Sequence, residues 1–440
     1  GRNARENLIP WSDGLYEEFK AAGGTDEDLK LLFAGENHDG SGSSFDNGKS
    51  MLGRDCTLAR RATCAKRIYK QVIHDRLSRS YYKQLSDWCA SHGIDLTGHP
   101  EKSTDIGYLK YFHRPCQDIV WRFVEPEDGH AIEGEHSTMG KCSSDSARHR
   151  GKRRNGNECF GCCGERQDPK LFTEKDMRWY LNWLFVRGVN LVYPHAFYYS
   201  LREDRGDERP PEVGINNPFW PNYRQMSDYI KRMCYLNTDS VNCAQVAILC
   251  GADTLSWKLA KPLFTNQIEF NYLEAELLDE CKVSNGRLCI AAQKYSVLLA
   301  EKAELDAIDD RAKEILADFI NAGGMVIVAG GATKDEAQKD FIYIENESEL
   351  PHELEKFIRR ELECTGDIYE LRCSHIVKDA KDFLVLTNEG MEPITVNWKA
   401  DEYRATELWN PYTLERERIT KLQGQLTIQP CDLWVMEIFP

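Results

Sequence analysis

The segment Arg153-Arg-Asn-Gly-Asn-Glu-Cys-Phe-Gly-Cys-Cys-Gly164 decides how the middle of the chain is interpreted. Within it, Asn157-Glu158 lies in a short β-prone run that glycines close. A helical pattern follows, and then the apolar strand pattern Val189–His195. A carboxylate near the end of a strand in a strand–helix–strand series is typical of a catalytic acid in a (β/α) barrel, because the strand ends line one open face. The alternative is that Glu158 pairs with a nearby arginine.

The helix after this segment has clear sequence signals. Thr173 is followed three residues later by Asp176, close to the pattern of a capping box. Gly188 is a typical C-terminal stop. Apolar side chains recur at helical spacing between these two ends, at Met177, Tyr180, Leu181, Leu184 and Phe185.

The same theme of apolar strand, polar strand end and amphipathic helix repeats over residues 93–235. This repetition predicts an α/β fold with a parallel sheet of the TIM-barrel type. A closed barrel needs eight strands in about 250 residues, and only about four are convincing here. We therefore expect a barrel that is N-terminally incomplete in this chain, over residues 1–240. The polar residues at the predicted strand ends are His99, Glu125, Glu158 and His195, and Glu125 closes a strand that we predict over Asp118–Glu125.

Two further domains are predicted after the barrel. Residues 241–345 alternate apolar strands with an amphipathic helix at 307–322 and form a Rossmann-like α/β pattern. Gly330-Gly331 follows a strand, but no Gly-x-Gly-x-x-Gly accompanies it, so we interpret these glycines as structural. Residues 346–440 contain short β runs separated by turns, which favours a C-terminal β-sandwich.

Composition limits the partners of this protein. The net charge is −15 and the pI about 5.3, which argues against nucleic acid as a partner, and no apolar run predicts a membrane span. The sixteen cysteines are scattered, with Cys162 and Cys163 adjacent, so we expect mostly free thiols and a cytoplasmic location. The chain opens at Gly1 and its first methionine is Met51. A secreted protein whose signal was removed is therefore the alternative.

Several carboxylates among aromatic residues, without a cofactor motif, favour glycoside hydrolysis. That reaction needs one protonated and one ionised carboxyl group beside the scissile bond. We expect an oligosaccharide or glycoside as the substrate, because the predicted strand ends also carry hydrogen-bonding side chains suited to sugar hydroxyls. These predicted substrate-binding residues are His99, Arg122, Asn157, His195 and Tyr198.

Five stretches of the sequence together form a recognisable set of motifs. They are Glu158-Cys159-Phe160, the helix Met177–Phe185, Gly188-Val189-Asn190 ending in His195, Gly98-His99-Pro100 and Asp118-Ile119. In these motifs, over about residues 78–224, the chain resembles the α-L-rhamnosidases of glycoside hydrolase family 106, as a divergent relative. A looser similarity extends to Glu407-Leu408-Trp409-Asn410-Pro411.

The resemblance implies an exo-acting, inverting glycosidase that uses two glutamates. Glu158 matches the family's Glu-x-Phe position and is the implied general acid. The family's Asp-Ile-Pro-Glu-x-Glu motif is replaced by Asp118-Ile-Val-Trp-Arg-Phe-Val-Glu125, so Glu125 is the predicted base, with Glu133 and Glu135 as alternatives. The resemblance also suggests a calcium ion near the sugar, without identifying its ligands.

Two other function classes stay open. A retaining barrel glycosidase such as a β-galactosidase is one, because an asparagine directly before the acid glutamate is typical of such barrels, as in Asn157-Glu158. The other is a non-catalytic carbohydrate-binding or assembly module, which an incomplete barrel favours.

Overall fold

A computed structural model describes residues 10–34, 56–102, 104–120, 123–126, 129–161, 163, 172–198, 200, 202, 212–330, 340–360, 362–400 and 404–439. The chain divides into two compact units, Gly1–Ile94 and Asp95–Pro440. Arg122, Cys162 and the glycine-rich stretch 35–48 lie outside the described residues. In the ranges described, no helix is long and apolar enough to cross a membrane.

The first unit is helical. Phe19, Leu29, Leu32 and Ala65 form its small core. Its elements are α1 (Leu15–Ala21), α2 (Asp26–Ala34), α3 (Cys56–Leu77), a π-helical segment (Ser78–Tyr82) and α4 (Lys83–Ser91).

The second unit begins with four parallel strands in the order β1-β2-β3-β4. An eight-stranded barrel contains twice this number, so the sheet is a half-barrel, as the repeated strand–helix pattern predicts. The strands are β1 (Thr97–Gly98), β2 (Arg114–Asp118), β3 (Gly156–Cys159) and β4 (Val192–Pro194), and the helices are α5 (Met139–His149), α6 (Glu174–Val186) and α7 (Tyr223–Asn237).

Helix α6 confirms its sequence signals. The Thr173 hydroxyl accepts a hydrogen bond from the Asp176 backbone N–H, and the Asp176 carboxylate accepts one from the Thr173 backbone N–H. This capping box satisfies two donors that the helix start would otherwise leave unpaired. Gly188 has φ 91° and follows the helix end. All five residues of the predicted apolar stripe are at most 1% exposed.

The predicted strand Asp118–Glu125 is wrong. The second strand runs from Arg114 to Asp118, so Asp118 ends the strand instead of starting it. This strand contains Arg114, Pro115 and Gln117. A strand buried on both faces is usually an apolar run, so the sequence of this one gave little indication of a strand. Ile119 and Val124 are fully buried in the core beside α6, but they belong to the connection after β2. The apolar run that predicted a strand therefore belongs to a buried connecting segment.

The next layer is an α/β region with a five-stranded parallel sheet in the order β13-β12-β11-β6-β7 and a small antiparallel sheet, β10-β9-β8. Its apolar core is formed largely by strands and by one face of α10. The elements are β5 (Val241–Asn242), β6 (Val246–Cys250), α8 (Trp257–Thr265), β7 (Phe270–Glu274), β8 (Lys282–Ser284), β9 (Arg287–Ile290), β10 (Gln293–Tyr295), β11 (Val297–Glu301), α9 (Lys302–Ala307), α10 (Asp310–Asn321), β12 (Met325–Ala329) and β13 (Ile342–Ile344).

Two antiparallel sheets follow, in the orders β14-β17-β20 and β19-β18-β21-β16-β15-β5. Their facing apolar side chains share one core, which agrees with the expected β-rich C-terminal region. The predicted domain boundaries near residues 240 and 345 stay predictions. The elements are α11 (Leu350–Leu354), β14 (Leu362–Gly366), β15 (Leu371–Lys378), β16 (Lys381–Asn388), β17 (Ile394–Ala400), β18 (Arg404–Trp409), β19 (Arg416–Lys421), β20 (Gln423–Ile428) and β21 (Leu433–Phe439).

A buried ion triad connects α6 to the C-terminal sheets. The Glu389 carboxylate accepts hydrogen bonds from Arg187, directly after α6, and from Arg372 on β15. The three side chains are each at most 1% exposed. The Trp179 indole of α6 also donates to the Glu389 carbonyl at 2.8 Å. The half-barrel and the C-terminal sheets are therefore held together by charge as well as by apolar packing.

Candidate active site

Three titratable side chains converge at the carboxyl ends of the first three barrel strands. His99 follows β1, Asp118 ends β2, and Glu158 lies next to the end of β3. One donor atom from each lies within 4.8 Å of the other two, and all three residues are half-buried. Because parallel strands end at the same edge, and Asp118 and Glu158 are partners in the strand register, their carboxylates point to the same side. We call these residues the strand-end triad.

His99 is oriented by contacts on both ring nitrogens. Its Nδ1 lies 2.8 Å from the Pro100 carbonyl, and its Nε2 lies 3.7 Å from Glu158 Oε2. The interaction with Glu158 raises the pKa of His99 above its usual value, although burial acts in the opposite direction. The histidine is therefore held in a position where its charged form is favoured by the neighbouring carboxylate.

The two faces of β3 have different surroundings. Glu158 lies on the face shared with Asp118, whereas Asn157 is fully buried on the opposite face. Its register partner Gln117 donates to the Cys142 thiol on α5, which identifies this face as the one covered by helices. Of the adjacent residues Asn157 and Glu158, only the glutamate belongs to the strand-end triad.

The chain leaves β3 through an unusual backbone conformation. Phe160, two residues after Glu158, has φ 74°, in the left-handed region that a bulky residue rarely adopts. Its ring is fully buried and packs against Phe172 and Tyr180, at ring-centroid distances of 5.4 and 5.9 Å. Such a conformation costs about 1–3 kcal/mol and persists only where packing enforces it. Buried aromatic packing therefore fixes the turn that directly follows Glu158.

His195 and Tyr198 follow the fourth strand, as the sequence predicts. The His195 backbone N–H donates to the Cys159 carbonyl at 2.8 Å, and a side chain placed at Gly161 would begin 3.6 Å from the His195 ring. Both residues are half-buried. The strand-end position thus brings His195 beside the turn after β3, while the predicted contact Arg122 lies outside the described residues.

The predicted base Glu125 and its alternatives are not members of the strand-end triad. Glu125 lies seven residues beyond the end of β2. The carboxylate of Glu133 forms an ion pair with Lys261 at 2.5 Å, and that of Glu135 accepts a hydrogen bond from Thr104 at 3.1 Å. Their roles as base stay predictions.

Asp118 is the site residue that the sequence interpretation did not select. The sequence predicts Asp118 only as the start of a strand and as part of a motif. The available signal was that Asp118 directly precedes the apolar run from Ile119, the position at which a polar strand end is expected if Arg114–Asp118 is the strand.

The donor set of the triad does not fit calcium. Calcium binds six to eight oxygen atoms, whereas this group offers one imidazole nitrogen and two carboxylates. Imidazole is a better ligand for zinc or iron. The proposal below concerns the acid–base chemistry of the side chains themselves.

No protein-family model and no curated protein matches the sequence. Among solved structures, a rhamnosidase from Novosphingobium sp. PP1Y is similar with a TM-score of 0.66 and 14% identity, over 97% of this chain and 43% of that protein. A β-galactosidase from Bacillus circulans sp. alkalophilus is similar with a TM-score of 0.58 and 12% identity, over 96% of this chain and 75% of that protein. An α-L-fucosidase isoenzyme 2 from Paenibacillus thiaminolyticus is similar with a TM-score of 0.53 and 11% identity, over 99% of this chain and 76% of that protein.

This chain thus spans less than half the length of the rhamnosidase that it resembles. At these identities the similarity concerns the fold and does not single out family 106. The chain shares its fold with these glycoside hydrolases, a half-barrel followed by a β-rich C-terminal region.

Proposed function

We propose that the protein is a glycoside hydrolase whose chemistry is centred on the strand-end triad. The observation that carries this proposal is the convergence of His99, Asp118 and Glu158 at the carboxyl ends of adjacent parallel strands. Catalytic groups of (β/α) barrels lie at this face. Two carboxyl groups in one site are the minimum that the two-carboxylate mechanism needs.

The two carboxyl groups have different surroundings, which supports different protonation states. When His99 is protonated, its interaction with Glu158 favours the ionised form of that carboxylate. Two carboxylates this close oppose each other's ionisation, and we therefore propose Asp118 as the carrier of a shared proton. This assigns Glu158 to the role of base or nucleophile and Asp118 to the role of proton donor. The resemblance instead assigns Glu158 as the general acid.

A leaving-group series separates these two assignments. If Glu158 is the general acid, Glu158→Gln slows glycosides with poor leaving groups far more than activated aryl glycosides, which need no protonation. If Glu158 is the base or nucleophile, the variant loses both substrate classes similarly while keeping its melting temperature. Asp118→Asn should then show the selective loss. A parallel fall in activity and melting temperature indicates a structural role instead.

For the substrate we propose a terminal deoxy sugar such as α-L-rhamnose, removed by exo attack. The motif resemblance around Glu158 and the fold similarity to a rhamnosidase support this choice. Comparison of 4-nitrophenyl α-L-rhamnoside with β-galactoside and α-L-fucoside tests it. Preference for the β-galactoside by more than about tenfold would contradict it.

The stereochemical outcome depends on the second carboxylate. Inverting enzymes separate the two groups by about 6.5–9.5 Å and retaining enzymes by about 5–5.5 Å. Oxygen atoms of Asp118 and Glu158 lie within 4.8 Å, which supports retention if these two are the pair. Inversion, which the resemblance implies, requires a more distant partner such as Glu125. Proton NMR of the first-formed anomer distinguishes the two.

A second candidate function is sugar binding without turnover. The half-barrel contains four strands, whereas a closed barrel contains eight. A protein that binds glycosides but releases no sugar from any aryl glycoside would support this candidate over hydrolysis.

A further inference from the structure

An ordered aromatic cluster lies beyond the fourth barrel strand. Trp220 and Tyr223 stack at a ring-centroid distance of 5.3 Å and an angle of 27°. Phe197 contacts both rings edge-on, at 5.7 and 5.9 Å. Although the three rings contact one another, Phe197 is 56% exposed and Trp220 is 37% exposed. We call Phe197, Trp220 and Tyr223 the aromatic platform.

Hydrogen bonds hold the backbone of the platform in place. The Val213 N–H donates to the Ala196 carbonyl at 3.1 Å, which ties the returning loop to the segment after β4. The Glu212 carboxylate accepts from the backbone N–H groups of Gly214 and Asn216 at 2.9 and 3.1 Å.

Asn217 completes this scaffold next to the platform. Its side-chain oxygen accepts from the Phe219 N–H at 2.8 Å, and its carbonyl accepts from the Trp220 N–H at 2.9 Å. The backbone that carries the exposed rings is thus already ordered by hydrogen bonds, which reduces the conformational entropy lost when a ligand binds.

The platform begins close in sequence to the residues of the candidate active site. Phe197 lies two residues after His195, whose ring approaches Gly161 in the turn that follows Glu158. Exposed apolar patches of this kind mark binding sites. A flat aromatic face suits the C–H face of a pyranose ring, and its exposure is appropriate for the part of a substrate that extends away from the scissile bond.

We propose that the aromatic platform binds the sugar on the leaving-group side of the scissile bond, so that the substrate is an oligosaccharide with a pyranose at that position. The proposal rests on the proposed hydrolase function. It adds the chemical class of the leaving group, a sugar ring stacked on Phe197 and Trp220.

Saturation-transfer NMR tests the proposal with methyl β-D-glucopyranoside, methyl β-D-galactopyranoside and methyl α-L-rhamnopyranoside. The Glu158→Gln background prevents turnover. Phe197→Ala and Trp220→Ala should each weaken binding about three- to tenfold, because an aromatic contact of about 0.5–1.5 kcal/mol is lost. Tyr235→Ala is the control, because Tyr235 is an exposed aromatic outside the platform, on the helix α7 that also carries Tyr223. It should bind as the parent does.

Unchanged binding in Phe197→Ala and Trp220→Ala, or no binding of any probe by the parent, overturns the proposal. Phe197 is the more exposed ring, so its variant serves if Trp220→Ala does not fold. Absence of turnover of every glycoside by the wild type contradicts the hydrolase function instead, and wild-type turnover in Glu158→Gln contradicts only the role of Glu158. Platform binding is measured independently of both results.

Discussion

The charge of Glu389 should be essential for stability. This carboxylate is 1% exposed and is shared by Arg187 and Arg372, which are 0% and 1% exposed. Burial lowers the pKa of Arg187, and the interaction with Glu389 opposes that effect. In Glu389→Gln, both guanidinium groups lose their buried anionic partner while the shape of the side chain is nearly conserved.

The magnitude follows from the contacts that remain. Removing one partner of a buried ion pair costs about 3–5 kcal/mol. In the variant, the carbonyls of Trp183 and Tyr369 still accept hydrogen bonds from Arg187 and Arg372, respectively. We therefore expect the free energy of unfolding to fall by an amount in this range rather than by twice as much. At about 2.1 cal/mol/K of unfolding entropy per residue, a unit of about 350 residues should lose roughly 4–7 °C in melting temperature.

Differential scanning calorimetry at pH 7 measures this shift. Glu370→Gln is the control, because Glu370 lies 3.7 Å from Arg372 but is 40% exposed, and exposed pairs are worth at most about 1 kcal/mol. A Glu389→Gln shift no larger than that of the control would refute the reasoning.

Three further predictions concern pH, metal and His99. Burial raises the pKa of Asp105 to about 6, so its contribution to the unfolding free energy is fully present below about pH 4 and is lost as the pH rises through 6. Asp105→Asn should therefore be about 1–3 kcal/mol more stable than wild type at pH 7 and equal to it at pH 3.5. Urea unfolding measures this difference in unfolding free energy, and the same difference at both pH values would argue against the prediction. Extensive dialysis against EDTA should leave hydrolysis unchanged, whereas loss of activity that calcium or zinc restores would place a metal in the reaction. His99→Gln removes the cation beside Glu158, so the acidic limb of the kcat/KM profile should move to higher pH; an unmoved limb would show that His99 does not tune this carboxylate.

The sequence predicted the elements whose signals are local. The capping box at Thr173 and the buried stripe of α6 could be predicted because they depend only on spacing within one helix. The position of Glu158 near a strand end could also be predicted, because glycines close the short β-prone run that contains it.

The site was less predictable because it depends on which strands pair. Asp118 was not selected because β2 carries Arg114, Pro115 and Gln117, while the buried apolar run lies in the connection after it. Tyr81 and Trp88 share a helical face in the sequence, yet they are 54% and 56% exposed in the helical unit. Periodicity identifies a face of a helix but not what covers it.

The most direct test of the central claim is the steady-state kcat/KM of wild type, Glu158→Gln and a control, Glu353→Gln, on a panel of glycosides with both activated aryl and poor alkyl leaving groups. Glu353 lies on α11, outside the half-barrel sheet, and pairs with the exposed Lys356. We predict hydrolysis of at least one glycoside, an about 10²–10⁴-fold loss in Glu158→Gln at an unchanged melting temperature, and no loss in the control. Folded Glu158→Gln that keeps wild-type kcat/KM would contradict the placement of catalysis at the strand-end triad.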